Sequence, residues 1–161
     1  MLATVQVHRV RQDDPLAAPL LAELAVEYSS RYGRTSAEIH AELRAHPGAE
    51  FAAPDGALLV LTLDGTAVAG GAFRRFDAET AELKRIWTSR AQRRQGLGRR
   101  VLDELEHEIA ARGYRRIFLT TGPRQPEAVA LYLAAGYRPM DELVLPAPVG
   151  RLRPFEKVLA P

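Results

Sequence analysis
Arg93-Arg94-Gln95-Gly96-Leu97-Gly98-Arg99-Arg100 stands between an apolar, β-leaning segment (81–88) and an amphipathic helical one (101–112). A glycine-bearing turn that leaves a strand and opens a helix is suited to an anion. The two glycines let the backbone come close, the helix start offers unpaired N–H groups and the positive end of its dipole, and the arginines add charge. Diphosphate is the natural ligand of such a turn.

Outward from this turn the chain alternates short elements. Positions 4–11 set Val5, Val7 and Val10 among polar residues as a strand does, and Asp13-Asp14-Pro15 ends the run. Leu16, Leu20, Leu21, Leu24 and Tyr28 recur at helical spacing up to Gly33, and Thr35 or Ser36 can cap a second, shorter helix reaching about His46, before Pro47-Gly48. Segments 58–63 and 67–76 flank Asp64-Gly65, a strong hairpin signal, and 82–88 follows as a third strand. Downstream of the turn, Val101, Leu102, Leu105, Ile109 and Ala110 form one helical stripe that Gly113 ends. A buried strand at 116–121, a helix at 127–135 ending at Gly136, and strands at 143–145 and 155–159 complete the chain, with 145–154 as a proline-rich connection or an interface arm. The expected order is β-α-α-β-β-β-α-β-α-β-β. Early hairpins joined to a later β-α-β-α unit predict an α/β (α+β) fold, a mixed central sheet of about six to seven strands with helices on both faces.

With 161 residues, the chain reads as a single domain spanning 1–161. The absence of cysteine removes disulfides, thiolate metal sites and a cysteine nucleophile. His8, His40, His46 and His107 are scattered with no pair at metal spacing, so no metal is expected. No long apolar run occurs and the N-terminus lacks a signal-like region, which predicts cytoplasmic residence and no membrane partner. The net charge of +2 is nearly balanced, and only Lys84 and Lys157 among the basic residues are lysines. Arg85, Arg90, Arg93, Arg94, Arg99 and Arg100 nevertheless cluster, which points to one anionic ligand; a nucleic-acid binder would show a domain-wide excess with interleaved aromatics.

The turn also meets the central motif of the GCN5-related N-acetyltransferases (GNAT), Gln or Arg, two residues, Gly, one residue, Gly or Ala, at Arg93 to Gly98. A strand before it, a helix after it, and the later segment Ala128-Val129-Ala130-Leu131-Tyr132-Leu133-Ala134-Ala135-Gly136-Tyr137 resemble the same family, as does Phe155-Glu156-Lys157-Val158-Leu159 as a last strand. The resemblance covers 57–159 well and the N-terminal helices by topology. Arg90 stands where members commonly have Pro, Arg94 where they have Gly, and Gln125 where they have Asn. The string Ala81-Glu82-Leu83-Lys84-Arg85-Ile86-Trp87-Thr88, with Thr121-Gly122 and Gln125-Pro126-Glu127-Ala128, looks like a subset with glutamate on this strand and no settled substrate.

The resemblance implies acyl transfer from acetyl-CoA, wedged where strands 82–88 and 116–121 splay apart. Arg93, Arg94, Gln95, Gly96, Leu97, Gly98 and Arg99 would then form the cofactor turn, the backbone N–H groups of Arg94, Gln95, Gly96, Gly98 and Arg99 holding the diphosphate, with Gln125 opening the later helix beside it. Ile86 and Thr88 would pair with the pantetheine amides like an added strand, and a backbone N–H near Trp87 would polarise the thioester carbonyl. Glu82 is the candidate general base, against a plain strand glutamate paired with Lys84 or an arginine; Tyr132 is the candidate acid for the leaving thiolate, against a core tyrosine. Trp87, the sole tryptophan, alternates with Leu83 along its strand and reads as core or pocket wall.

Tyr28, Arg31 and Tyr32 at the junction of the first helices, with Phe73 and Arg75 on the hairpin, are candidate acceptor contacts, or else helix packing and surface charge. Arg31 and Arg75 hint at a carboxylate-bearing amine. The acceptor class stays open among amino acids, polyamines, aminoglycosides, small amine drugs and peptide N-termini. Homodimerisation, common in the family, is undecided by any residue here. A dinucleotide-binding domain is disfavoured because Gly96-Leu97-Gly98 lacks the third glycine and follows hairpin strands. A CoA-binding sensor or regulatory protein without efficient catalysis is the remaining alternative.

Overall fold
The computed structural model describes residues 4–32, 35–45, 48–93, 95–122, 125–146 and 150–160. The N-terminal alternation forms β1 (Val5–Arg9), after which a 3-10 turn at Pro15–Ala17 leads into α1 (Ala18–Tyr32). The Asp14 side chain accepts from the Leu16 N–H at 2.8 Å, satisfying a donor that the helix start would leave open. Of the two residues expected to cap α2 (Ser36–Ala45), Thr35 does so, its hydroxyl accepting from the Glu38 N–H at 3.1 Å.

The hairpin comprises β2 (Ala57–Leu63) and β3 (Thr66–Arg75), and its turn residues Asp64 and Gly65 both have positive φ, 50° and 80°, as a two-residue hairpin loop requires. Then come β4 (Thr80–Thr88), α3 (Leu97–Ala111), β5 (Arg116–Thr121), α4 (Pro126–Ala134), β6 (Arg138–Pro139), β7 (Leu143–Leu145) and β8 (Gly150–Val158). The expected order holds with one addition, the two-residue β6. The sheet has eight strands in the order β1-β2-β3-β4-β5-β8-β6, with β7 also paired to β8. β4 and β5 run parallel, whereas the other strand pairs are antiparallel.

Two expectations are corrected. The stretch 145–154 is not all connection: β8 begins at Gly150, and Pro154 sits within it opposite Thr120. β6 pairs with β8 at Glu156 and Phe155, and β7 pairs at Leu152 to Gly150, so the missing N–H of Pro154 falls in the gap between them and breaks no ladder bond. The second correction concerns Leu83 and Trp87, which do not share a face. Between the pairs Gly70–Trp87 and Ala72–Lys84, one residue on β3, Gly71, opposes two on β4, Ile86 and Arg85, and Arg85 takes a left-handed φ of 59° at this bulge. The extra residue inverts the alternation. Leu83 packs in the core under α3, and Trp87 packs in the opposite core under α1.

Both faces of the sheet are therefore covered. Leu59 and Leu61 of β2 join Val101, Leu102, Leu105 and Ile109 of α3 on one side, while Leu58 and Val60 join Leu20, Leu21 and Leu24 of α1 on the other. This explains why β2 reads as a continuous apolar run: each alternate residue has a helix to meet. Gly70 and Gly71 set the spacing, since a Cβ on Gly70 would come within 2.9 Å of Leu20 Cδ1 and one on Gly71 within 2.9 Å of Leu105 Cδ1. No helix among the described residues is long and apolar enough to cross a membrane.

Candidate active site
The parallel pairing of β4 with β5 covers only Thr80, Ala81 and Glu82, matched to Arg116, Ile117 and Phe118. Beyond it the strands part. α3 and α4 lie at the open end, and a cleft of about 650 Å³ is lined there by Ile86 and Thr88 of β4, Arg93 and the 96–99 turn, Gln125, Leu131 and Tyr132, with Leu24, Glu27 and Tyr28 of α1 closing one side.

The turn has the geometry that an anion needs. Gly96 is the N-cap of α3 at φ 76°, ψ 9°, a left-handed conformation in which side chains are strained, and no side chain caps the helix start. A Cβ on Gly98 would meet Leu131 Cδ2 at 3.2 Å, so the second glycine lets the start of α3 approach α4 and keeps the cleft wall thin. Leu97 anchors the turn by burial in the core below. Gln95 is exposed, and Arg94 lies outside the described residues.

Much of the arginine cluster is engaged within the protein. Arg93 reaches Glu27 of α1 at 3.3 Å, Arg99 donates to the Ala134 carbonyl at 3.1 Å, and Arg100 pairs with Glu104 at 2.8 Å. The Arg90 N–H is held by Glu23 at 3.2 Å. The Arg93 and Arg99 contacts bind the turn to α1 and α4. Gln125 ends the loop before α4, where its side-chain oxygen accepts from the Gly122 N–H at 3.2 Å.

Tyr132 is buried at the cleft, its ring edge-on to Tyr137 at 5.7 Å and tilted against Phe155 at 6.0 Å. Burial, with a smaller contribution from nearby Tyr28, pushes its hydroxyl well above the ordinary tyrosine value. It therefore stays protonated at neutral pH and can donate. Glu82 lies elsewhere. Its carboxylate accepts from Arg74 Nε at 2.9 Å and faces Lys84 Nζ at 3.6 Å, and it lines a separate depression with Glu50, Asp55, Arg74, Arg75 and Phe76. The ion pairing weighed from the sequence is thus present.

Among the acceptor candidates, Tyr28 lines the cleft, and Arg75 lies in the Glu82 depression. Phe73 requires a correction: it is fully buried against Tyr114 with ring centroids 6.2 Å apart and beneath the Arg112 guanidinium, so it fills core and lines neither the cleft nor the Glu82 depression. Its strand is covered on both faces, leaving an aromatic there nowhere to be exposed. The Trp87 ring is likewise buried away from the cleft lining. The side chains of Arg31 and Tyr32 lie outside the described residues. Sequence reading missed Leu24 and Glu27, although Leu24, Glu27 and Tyr28 share one helical face by spacing. A further depression of about 730 Å³, lined by residues such as Gln12, Asp14, His40 and Arg44, lies between α1 and α2, apart from the strand split.

The model of the acetyltransferase (GNAT) family matches residues 19–137, well over half of the chain. The chain belongs to this family. It is 36% identical over 89 residues to an IAA acetyltransferase from Azospirillum brasilense, an alignment spanning 54% of this chain and 58% of that protein. Its fold is that of an acetyltransferase of the GNAT family from Staphylococcus aureus, with a TM-score of 0.77 at 15% identity over 98% of this chain and all of that one. A GNAT family acetyltransferase from Elizabethkingia anophelis, whose structure holds acetyl-CoA, superposes with a TM-score of 0.68 at 16% identity over 96% of this chain and 98% of that one. These likenesses make the chain an acetyltransferase-family protein of mixed α/β architecture.

Proposed function
We propose that this GNAT protein transfers an acetyl group from acetyl-CoA to a primary amine of a small molecule or peptide, by direct attack while both are bound. The carrying observation is the cleft where β4 leaves β5, opened by a left-handed Gly96 whose helix start has no side-chain cap. Acetyl-CoA, when bound, supplies an acetyl group activated as a thioester. The N–H groups of Gln95, Gly96, Gly98 and Arg99 would hold its diphosphate, and the backbone of Ile86 and Thr88 would carry the pantetheine as an added strand. A backbone N–H near Trp87 would meet the negative charge that grows on the carbonyl oxygen. The departing sulfur would take a proton from Tyr132. Glu82, reached through water from the Arg74 side, would accept the proton that the amine must lose.

One observation supports a second reading, a CoA-binding sensor without efficient catalysis: Glu82 is tied to Arg74 and Lys84 outside the cleft lining. Calorimetric titration with acetyl-CoA, with NADH as control, separates the hypotheses when followed by an amine screen. Micromolar binding of acetyl-CoA but not NADH, together with turnover on any amine, supports the enzyme. Binding without turnover supports the sensor, and no binding removes both. Glu82→Gln should then shift the acidic limb of the pH–rate profile; an identical profile would leave deprotonation to solvent.

A further inference from the structure
The lining of the cleft changes character along its length. Around the turn it is polar, with Arg93 meeting Glu27 at 3.3 Å and Arg99 donating to the Ala134 carbonyl at 3.1 Å. Leu24, Tyr28, Ile86 and Tyr132 line the same cleft with apolar surface, and none of them is more than partly exposed. Two cores meet across this apolar part. Leu24 belongs to the core beneath α1, with Leu20, Leu21 and Trp87, and Tyr28 packs against it. Tyr132 belongs to the core beneath α3, and Ile86 packs against that one.

Each of these side chains therefore has a filled interior behind it. Leu24 is the clearest case, because it borders the cleft and is nevertheless only 2% exposed. Its neighbours leave it little room to retreat, and a close-packed interior gives way to added methylenes only at a cost. A side chain at the rim could swing aside. One fixed by its core acts as a stop.

The order of the donor's parts decides what meets that stop. With the diphosphate on the 96–98 turn and the pantetheine along Thr88 and then Ile86, the ligand leads away from the polar end, and the acyl group follows the sulfur beside Tyr132. Burial favours its methylenes until the chain meets α1. We propose that Leu24 sets the acyl-chain length of the donor: acetyl and propionyl fit between Ile86, Tyr132 and the α1 wall, whereas butyryl and longer chains are excluded by the Leu24 side chain, with Tyr28 one turn on completing the wall. This donor class rests on the acetyl-transfer reading of the cleft.

Calorimetry on the full chain with free CoA and with acetyl-, propionyl-, butyryl- and hexanoyl-CoA tests it. Each Kd is taken as a ratio to that of free CoA, so the ratio reports the acyl end and the CoA value reports the rest of the cleft. Butyryl should be disfavoured at least about 10-fold relative to acetyl, and hexanoyl further, as surplus methylenes are in a closed apolar pocket. Leu24→Ala removes the stop and should abolish most of that penalty. If Leu24→Ala does not melt cooperatively, Leu24→Val replaces it and must reduce the penalty in the same direction. Equal ratios for acetyl and butyryl in the wild-type protein, or a butyryl penalty of full size in the folded variant, would overturn the proposal while CoA binding stands. Failure of free CoA and of every acyl-CoA to bind would overturn the cofactor reading of the cleft and the proposal with it.

Discussion
Tyr132 shows what burial does to a single side chain. Enclosed by Tyr137, Phe155 and the cleft, its hydroxyl is held in the protonated form far beyond neutrality. If it serves as the acid, Tyr132→Phe should lower kcat by about 100-fold or more while the Kd for acetyl-CoA stays within experimental error. Stopped-assay kinetics and calorimetry on one preparation check this; an unaltered rate would make the residue core packing. Its position was legible from the leucine-tyrosine and glycine-aromatic signature. The partners of Glu82 were only half legible: Lys84 is two residues away, whereas Arg74 arrives from the neighbouring strand, opposite Glu82 in the β3–β4 register. The alternation of Ala81-Glu82-Leu83-Lys84 breaks at Arg85-Ile86, but only the pairing with β3 shows that the break is a bulge with Arg85 in a left-handed conformation.

At the scale of elements, the turn into α3 joins strand geometry to ligand geometry. Gly96 takes a φ of 76° with open space around its Cα, so a side chain there is opposed by backbone strain and not by collision. Gly96→Val should therefore cost about 1–3 kcal/mol or move the turn toward ordinary φ, and either way misdirect the N–H groups. The expected result is a cooperatively melting protein whose acetyl-CoA affinity has fallen at least about 10-fold, read by calorimetry; unchanged affinity would remove the turn from the cofactor site. The helices and the hairpin were legible because their signals are local, in periodicity, caps and the Asp64-Gly65 turn. The start of β8 was not, since Pro154 normally argues against a strand and only the gap between β6 and β7 makes it harmless there.

For the whole molecule, the buried phenols make stability depend on alkaline pH. Burial raises the hydroxyls of Tyr132 and Tyr137, and the Glu106 carboxylate, which accepts from Tyr137 at 2.9 Å, raises the latter further. Above about pH 10 the unfolded chain loses these protons while the folded protein keeps them, so the stabilisation present below that pH is lost as pH rises. Melting temperatures measured across the alkaline range should fall more steeply for the wild-type protein than for Tyr137→Phe, relative to each protein's value at neutral pH; parallel curves would contradict the assignment. The sequence alone determined the order of elements apart from β6, the glycine turn into α3 and the family, because each rests on residues close together in the chain whose periodicity and turn chemistry act locally. The tertiary structure alone decided that Phe73 is core, that Glu82 belongs to Arg74, that Arg85 and Trp87 turn toward α1, and that β4 leaves β5 after Glu82. Each of these depends on how strands distant in sequence are registered, and a shift of one residue in register exchanges the faces of a strand.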